Sequence, residues 1–167
     1  MKSMIYILLG IIFLLFIIVI IGLFLPKTRT LSKETIYNAS IETVYNTVTN
    51  NQDWKYRKSL DDLRIIETNG NMETWEEVSA GNIIRFKTKE KKPFTFYSFD
   101  MDSKLFKGYW YAEFESVGNG ETRFTATESI EYKNPFIRTI GYAFMNIDKY
   151  METYQQELKE KIEYTGR

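Results

Sequence analysis

The chain contains neither histidine nor cysteine, so Ser-His and Cys-His dyads, thiolate nucleophiles, disulfides and nearly all zinc and haem ligation fall away. No metal site and no cofactor is expected. Proton transfer or polar recognition is left to carboxylates, lysines, tyrosines and bound water. Glu128 stands out among these by position. Phe124, Ala126, Glu128, Ile130 and Tyr132 alternate with Thr125, Thr127, Ser129 and Glu131, so a strand here carries Glu128 on its apolar face. A carboxyl group in that place must be paired, hydrogen-bonded or protonated. It could anchor a ligand hydroxyl, or handle protons together with a tyrosine such as Tyr97. The favoured reading is that it is satisfied internally, by the Trp110 indole, a nearby tyrosine or Arg138.

Positioning Glu128 requires a sheet and a cover for it. Turn signals recur at Asn69-Gly70, Ala80-Gly81-Asn82, Lys91-Lys92-Pro93, Asp102-Ser103 and Gly118-Asn119-Gly120, and the segments between them have the period of two of an antiparallel meander. Ile84, Phe86 and Thr88 share one face, as do Trp110, Ala112 and Phe114. The cover is the stretch from Pro135 to about Tyr164, where Ile140, Phe144, Ile147, Met151, Tyr154, Leu158 and Ile162 recur in steps of four and three. That spacing predicts one long amphipathic helix, with Asn134 as N-cap and Pro135 at its first position. In this register Leu158 faces inward and Glu157 outward. Upstream, residues 31–38 read as a strand, Ser40 caps a short helix to about Thr49, and Trp54 to Leu60 reads as a second short helix.

Met4 to Leu25 carries no charge; as a helix its 22 residues span about 33 Å, enough to cross a bilayer core. The chain therefore divides into a transmembrane anchor (1–25), a short linker (26–33) and one domain (34–164). A cleaved signal peptide is disfavoured because no small-x-small site precedes Pro26-Lys27. Lys27, Arg29 and Lys33 follow the span while only Lys2 and the terminal amine precede it. The expectation is a single-pass protein in the cell membrane with its domain on the cytoplasmic side, the opposite topology staying open on so few charges. These four cations leave 18 basic against 22 acidic residues from Glu34 onward, without the basic stripe that nucleic acid requires. Lys87, Lys89, Lys91 and Lys92 gather at one hairpin, as a solvated strand end or a contact for anionic lipid.

Three linked motifs add a resemblance. Gly108-Tyr109-Trp110-Tyr111-Ala112-Glu113-Phe114, Gly120-Glu121-Thr122-Arg123-Phe124-Thr125-Ala126-Thr127-Glu128 and Asn134-Pro135 followed by Arg138 resemble successive motifs of the polyketide cyclase/dehydrase and lipid-transport group of the SRPBCC superfamily, related to START domains and the birch-pollen allergens. The resemblance implies an α+β helix-grip fold: a curved antiparallel sheet of six or seven strands wrapped on a long C-terminal helix. It also implies a cavity between sheet and helix, for which Glu128, Trp110, Tyr97, Phe86, Phe124, Arg138, Phe144 and Met151 are the lining candidates. The chain departs from the family pattern at Ala39-Ser40, where many members carry Ala-Pro, and at Trp54, where many carry paired tryptophans. The reading is a membrane-anchored module holding a lipid-like or other hydrophobic small molecule. The alternatives are a cyclase or dehydratase using Glu128 and a tyrosine, which the lack of histidine weakens, and a non-catalytic protein-interaction module.

Overall fold

The computed structural model describes residues 2–165. A 23-residue apolar helix α1 (Lys2–Phe24) leads into strand β1 (Thr28–Tyr37) and helix α2 (Ile41–Thr49). Six strands follow: β2 (Asp62–Asn69), β3 (Met72–Ser79), β4 (Asn82–Lys92), β5 (Phe96–Asp102), β6 (Phe106–Gly118) and β7 (Glu121–Tyr132). Two helices close the chain, α3 (Pro135–Phe144) and α4 (Ile147–Thr165). The fold class is α+β.

The seven strands form one antiparallel sheet in the order β1-β7-β6-β5-β4-β3-β2. Five consecutive hairpins join β2 to β7, and β1 closes the far edge by pairing with β7 from Thr28 opposite Glu131 to Tyr37 opposite Thr122. Residues 28–33, expected to be linker, are thus the first half of β1. Bulges lie between Ile65 and Glu67, Thr88 and Glu90, and Ser116 and Gly118, and each bends its strand and adds twist. The β6–β7 turn runs through Asn119 and Gly120, both with positive φ, the backbone that an Asn-Gly pair tolerates best.

The apolar faces of the strands and the stripe of α4 meet in one core. Tyr37, Trp75, Tyr97, Phe124, Ile130, Ile147 and Leu158 are buried there almost completely. Gln155 ties α4 to β1. Its Nε2 donates to Lys33 O, its Oε1 accepts from Thr35 Oγ1, and its carbonyl accepts from the Tyr37 hydroxyl. On the other side of α2, Ser40 Oγ accepts from Thr43 N as the N-cap, and Val44, Tyr45 and Val48 turn inward.

Three expectations need correction. The single long C-terminal helix is two helices broken at Met145-Asn146: Met145 is extended (φ −92°, ψ 108°) and Asn146 Oδ1 accepts from Lys149 N. An Asn side chain that satisfies a free amide in this way starts a new helix rather than continuing the old one. Second, Trp54 to Leu60 is a run of turns, not a helix. Ser59 in that run gives its amide and hydroxyl to the Glu157 carboxylate at 2.7 and 2.9 Å. Third, Glu157, expected to face water, is consequently buried.

Leu158→Ala should lower stability by about 2–5 kcal/mol through a cavity under α4. Glu157→Lys should cost a similar amount, because it strands the Ser59 amide and buries a cation. Glu152→Lys, at an exposed position, should stay within about 0.5 kcal/mol. Denaturant unfolding of the three variants checks this; equal mildness at positions 152 and 157 would mean that the Ser59 contacts do not form.

Candidate functional site

The interior between the sheet and α4 is a nest of aromatic rings with a polar thread through it. Alternation along β3, β4, β5 and β6 aims Trp75, Phe86, Phe99 and Trp110 at the helix. Trp75 stacks on Phe86 at 5.1 Å, Phe99 on Trp110 at 4.7 Å, and Tyr97 meets Trp110 edge-on at 6.1 Å. From above, Tyr154 of α4 stands perpendicular to Trp110 at 6.5 Å. Such offset and edge contacts suit the ring quadrupole and add about 0.5–1.5 kcal/mol per pair beyond burial.

The polar thread starts at Arg57, in the turns before β2. Both its terminal nitrogens bond the Glu77 carboxylate, Nη2 to Oε2 at 2.9 Å, and the Trp75 indole donates to Glu77 Oε1 at 3.1 Å. The guanidinium lies 5.2 Å over the Tyr154 ring. Burial disfavours its charge, but the Glu77 carboxylate outweighs that and holds it protonated. Burial also pushes the neighbouring Tyr56 hydroxyl up to about 12.

Glu128 sits opposite Trp110 on β6 and Leu31 on β1. It points inward and makes no hydrogen bond or ion pair among the described residues. Burial first, and then the charge of Glu77, push its carboxyl from 4.5 up to about 7. The Trp110 indole does not serve it. Arg138 does not either: this buried guanidinium bonds the carbonyls of Gly22 at 2.7 Å and Leu25 at 3.2 Å, at the end of α1.

A second polar point lies toward α2. The Tyr97 hydroxyl is buried without a hydrogen-bond partner among the described residues, and burial raises its pKa. Lys91 lies with its nitrogen 5.3 Å over the Tyr97 ring, and burial lowers its pKa. Lys91 therefore differs from Lys87, Lys89 and Lys92, which stay exposed. The bulge between Thr88 and Glu90 flips the register and turns it inward.

Of the candidates named from the sequence, Trp110, Tyr97, Phe86, Phe124 and Met151 are buried in this interior, and Glu128, paired with Trp110, lies on the same sheet face but is only half-buried. Arg138 lies at the α1 junction instead, and Phe144 is 81% exposed at the end of α3, so neither faces it. Sequence reasoning passed over Arg57 and Glu77. Glu77 had a signal, since it follows Trp75 by two on the same strand face; Arg57 lies in irregular chain and had none. Among the described residues, shallow clefts of about 220 Å³ and about 210 Å³ lie between β1 and α4 beside Gln155 and beside Tyr109 and Ser129, respectively. Neither lies among the stacked rings.

No family model matches the sequence, and no curated protein matches it. Solved structures do. The Zhui aromatase/cyclase from Streptomyces sp. R1128 superposes with a TM-score of 0.71 at 10% identity, covering 84% of this chain and 96% of that one. A protein from Thermus thermophilus gives 0.67 at 19% identity over 83% of this chain and all (100%) of that one. A START superfamily protein from Mycobacterium smegmatis gives 0.65 at 13% identity over 81% and 98%. The chain has the helix-grip fold. This is the architecture of the SRPBCC, START and birch-pollen-allergen proteins, and at these identities the likeness concerns the fold alone.

The Arg57–Glu77 pair makes the helix-grip interior vulnerable to single substitutions. Arg57→Met leaves Glu77 as an unpaired buried carboxylate near Glu128 and should cost about 3–5 kcal/mol, while Arg57→Met with Glu77→Leu should recover most of it. Thermal or denaturant unfolding of the single and double variants measures the coupling.

Proposed function

We propose that the protein is a membrane-anchored binding module whose helix-grip interior takes a hydrophobic small molecule, and that a hydroxyl or carbonyl of that molecule bonds the Glu128 carboxyl. The observation that carries this reading is the inward carboxyl without a partner. The side chain is partly buried on the inner face of β7 and bonds no protein group among the described residues, so its oxygens are free for a ligand that would take the place of water there. The aromatic walls suit an apolar body, and the Tyr97 hydroxyl offers a second unpaired group. Because the rings already touch one another, a ligand enters by displacing them, with Tyr154 and Met151 of α4 as the movable cover. Structural neighbours of this fold include a START superfamily protein and an aromatase/cyclase, which supports binding and leaves catalysis as the second reading. That second reading has its own support in Glu128, whose pKa of about 7 suits proton transfer at neutral pH.

Anchoring rests on α1, which is long and apolar enough to cross a membrane. Its bonds to Arg138 support an uncleaved anchor, since removing α1 would strip a buried guanidinium of its acceptors.

Native mass spectrometry of the full chain extracted in detergent should find a retained small molecule, and Glu128→Leu should weaken its retention. Absence of any retained mass, together with no uptake of an apolar fluorescent probe, would refute the binding reading and leave the fold as a protein-interaction module. Stability against pH gives an independent check. The carboxyl titrates near 4.5 unfolded and about 7 folded, so the folded protein holds the proton more tightly. Its contribution is fully present below about pH 4.5 and is lost as pH rises through 7. Glu128→Gln cannot ionise, so its stability relative to the parent should grow across that window and then level off, by a few kcal/mol at most.

A further inference from the structure

Apart from α1, the outer face of α3 carries an exposed apolar stripe among the described residues. Phe136, Ile140 and Phe144 follow one another at four-residue steps and are 39%, 37% and 81% exposed. The opposite face of the same helix is engaged. Arg138 reaches the carbonyls of Gly22 and Leu25, the Tyr142 hydroxyl bonds Pro26 O at 3.4 Å, and Gly141 abuts the Tyr132 ring so closely that a Cβ there would come within 2.2 Å of it. On the flank between the two faces, the Thr139 hydroxyl donates to Ile18 O at 2.7 Å. The helices touch backbone to backbone at Gly22, where a Cβ would lie 1.9 Å from Pro135 O.

These contacts fix direction as well as position. Ile18 precedes Leu25 by seven residues, about 10 Å along α1, so α3 crosses the last 10 Å or so of the apolar helix. Its engaged face looks up at the domain and the start of β1. Its exposed face points away from these contacts, outward beside the last turns of α1. Leu105, 50% exposed in the β5–β6 turn, stands at the start of α3, where its carbonyl accepts from Lys133 N at 3.1 Å. Lys27 just after α1, Lys104 in the β5–β6 turn next to Leu105, and Lys149 in the first turn of α4 are exposed.

We infer that α3 is an interfacial foot, with Phe136, Ile140 and Phe144 sunk into the headgroup and acyl boundary of the leaflet from which α1 emerges. This rests on the reading of α1 as a span. If α1 crosses the bilayer, the contacts with Ile18 and Gly22 hold α3 at the depth where amphipathic helices lie, roughly 5–10 Å into the boundary region. The exposed lysines suit anionic headgroups. Three elements then fix the domain on the membrane: the span, the foot and the Leu105 turn. Rotation about a single flexible tether is lost, and the end of the helix-grip interior near Ile147 and Tyr132 is held toward the lipid.

The absence of cysteine allows a direct test. Phe144→Cys, Phe13→Cys and Ile83→Cys are each spin-labelled in the full chain, reconstituted in vesicles of phosphatidylcholine and phosphatidylglycerol, with circular dichroism confirming the fold. Collision with oxygen, which partitions into lipid, is compared with collision with a water-soluble nickel chelate. The expected result is an oxygen-to-nickel ratio at 144 several-fold above that at 83, and below that at 13 because the foot is shallower than the span. A label at 144 that matches 83 while 13 reports lipid overturns the foot and leaves the span standing. An immobilised label at 144 shielded from both agents means that protein covers the face, and also overturns it. Water at position 13 removes the span reading and the foot with it.

Discussion

A buried guanidinium with no carboxylate beside it has to find its compensation in backbone, and Arg138 finds it at the carbonyl end of α1. The last carbonyls of a helix are unpaired within the helix and carry the negative end of its dipole, so a cation placed there meets both needs together. The rest of the chain's layout follows from that contact. Because Arg138 sits on α3, the helix is held between α1 and Tyr132 at the end of β7, and α4 starts afresh from Asn146 to cover the core. Gly22 allows the approach; any side chain there would collide with the Pro135 carbonyl. The apolar helix and the helix-grip domain are therefore joined by packing as well as by chain.

The interior shows the reverse situation, charge kept inside without complete compensation. Arg57 and Glu77 pair through both terminal guanidinium nitrogens, with help from the Trp75 indole and the Tyr154 ring, while Arg57 Nε stays without a partner among the described residues. A pair of this kind contributes little net stability against an apolar replacement, yet is costly to break by halves. Its value lies in fixing geometry: it pulls the irregular chain of residues 54–60 onto the sheet beside α4. Glu128, with no such partner, carries the strain in its proton affinity instead. The same carboxylate of Glu77 that satisfies Arg57 and Trp75 adds to the burial that keeps Glu128 protonated near neutrality.

Most of the fold was legible because the strands obey a strict period of two and each turn carries its own residues. The pairs at Asn69-Gly70 and Asn119-Gly120 mark hairpins, and the inward positions of Phe86, Tyr97, Trp110, Phe124 and Glu128 follow from counting along strands. What escaped reading depended on contacts distant in sequence. Helical periodicity runs through Ile140, Phe144 and Ile147 without interruption, so apolar spacing alone could not show that the first two face away from the sheet. The caps decide it, and an Asn at 146 followed by Asp148 was the local sign. Glu157 looked solvent-facing because nothing near it reveals that Ser59 needs an acceptor. Lys91 looked like one of four surface lysines because a bulge, which reverses the alternation, leaves no mark in composition.

An inward carboxyl that bonds no protein group among the described residues makes Glu128 a site whose proton and whose ligand are thermodynamically linked. A ligand that presents a carbonyl accepts a hydrogen bond only from the protonated carboxyl, and so raises the pKa further; one that presents only a donor favours the carboxylate and lowers it. Linkage is reciprocal, so each change in proton affinity is matched by an equal change in ligand affinity with pH. Partial burial and the Glu77 charge raise the carboxyl toward neutrality, so neither protonation state is far out of reach and either class of ligand can be bonded. Selection between them then falls to shape, to how far Tyr154 and Met151 must move from the rings beneath them, and to the Tyr97 hydroxyl as the second group still able to bond.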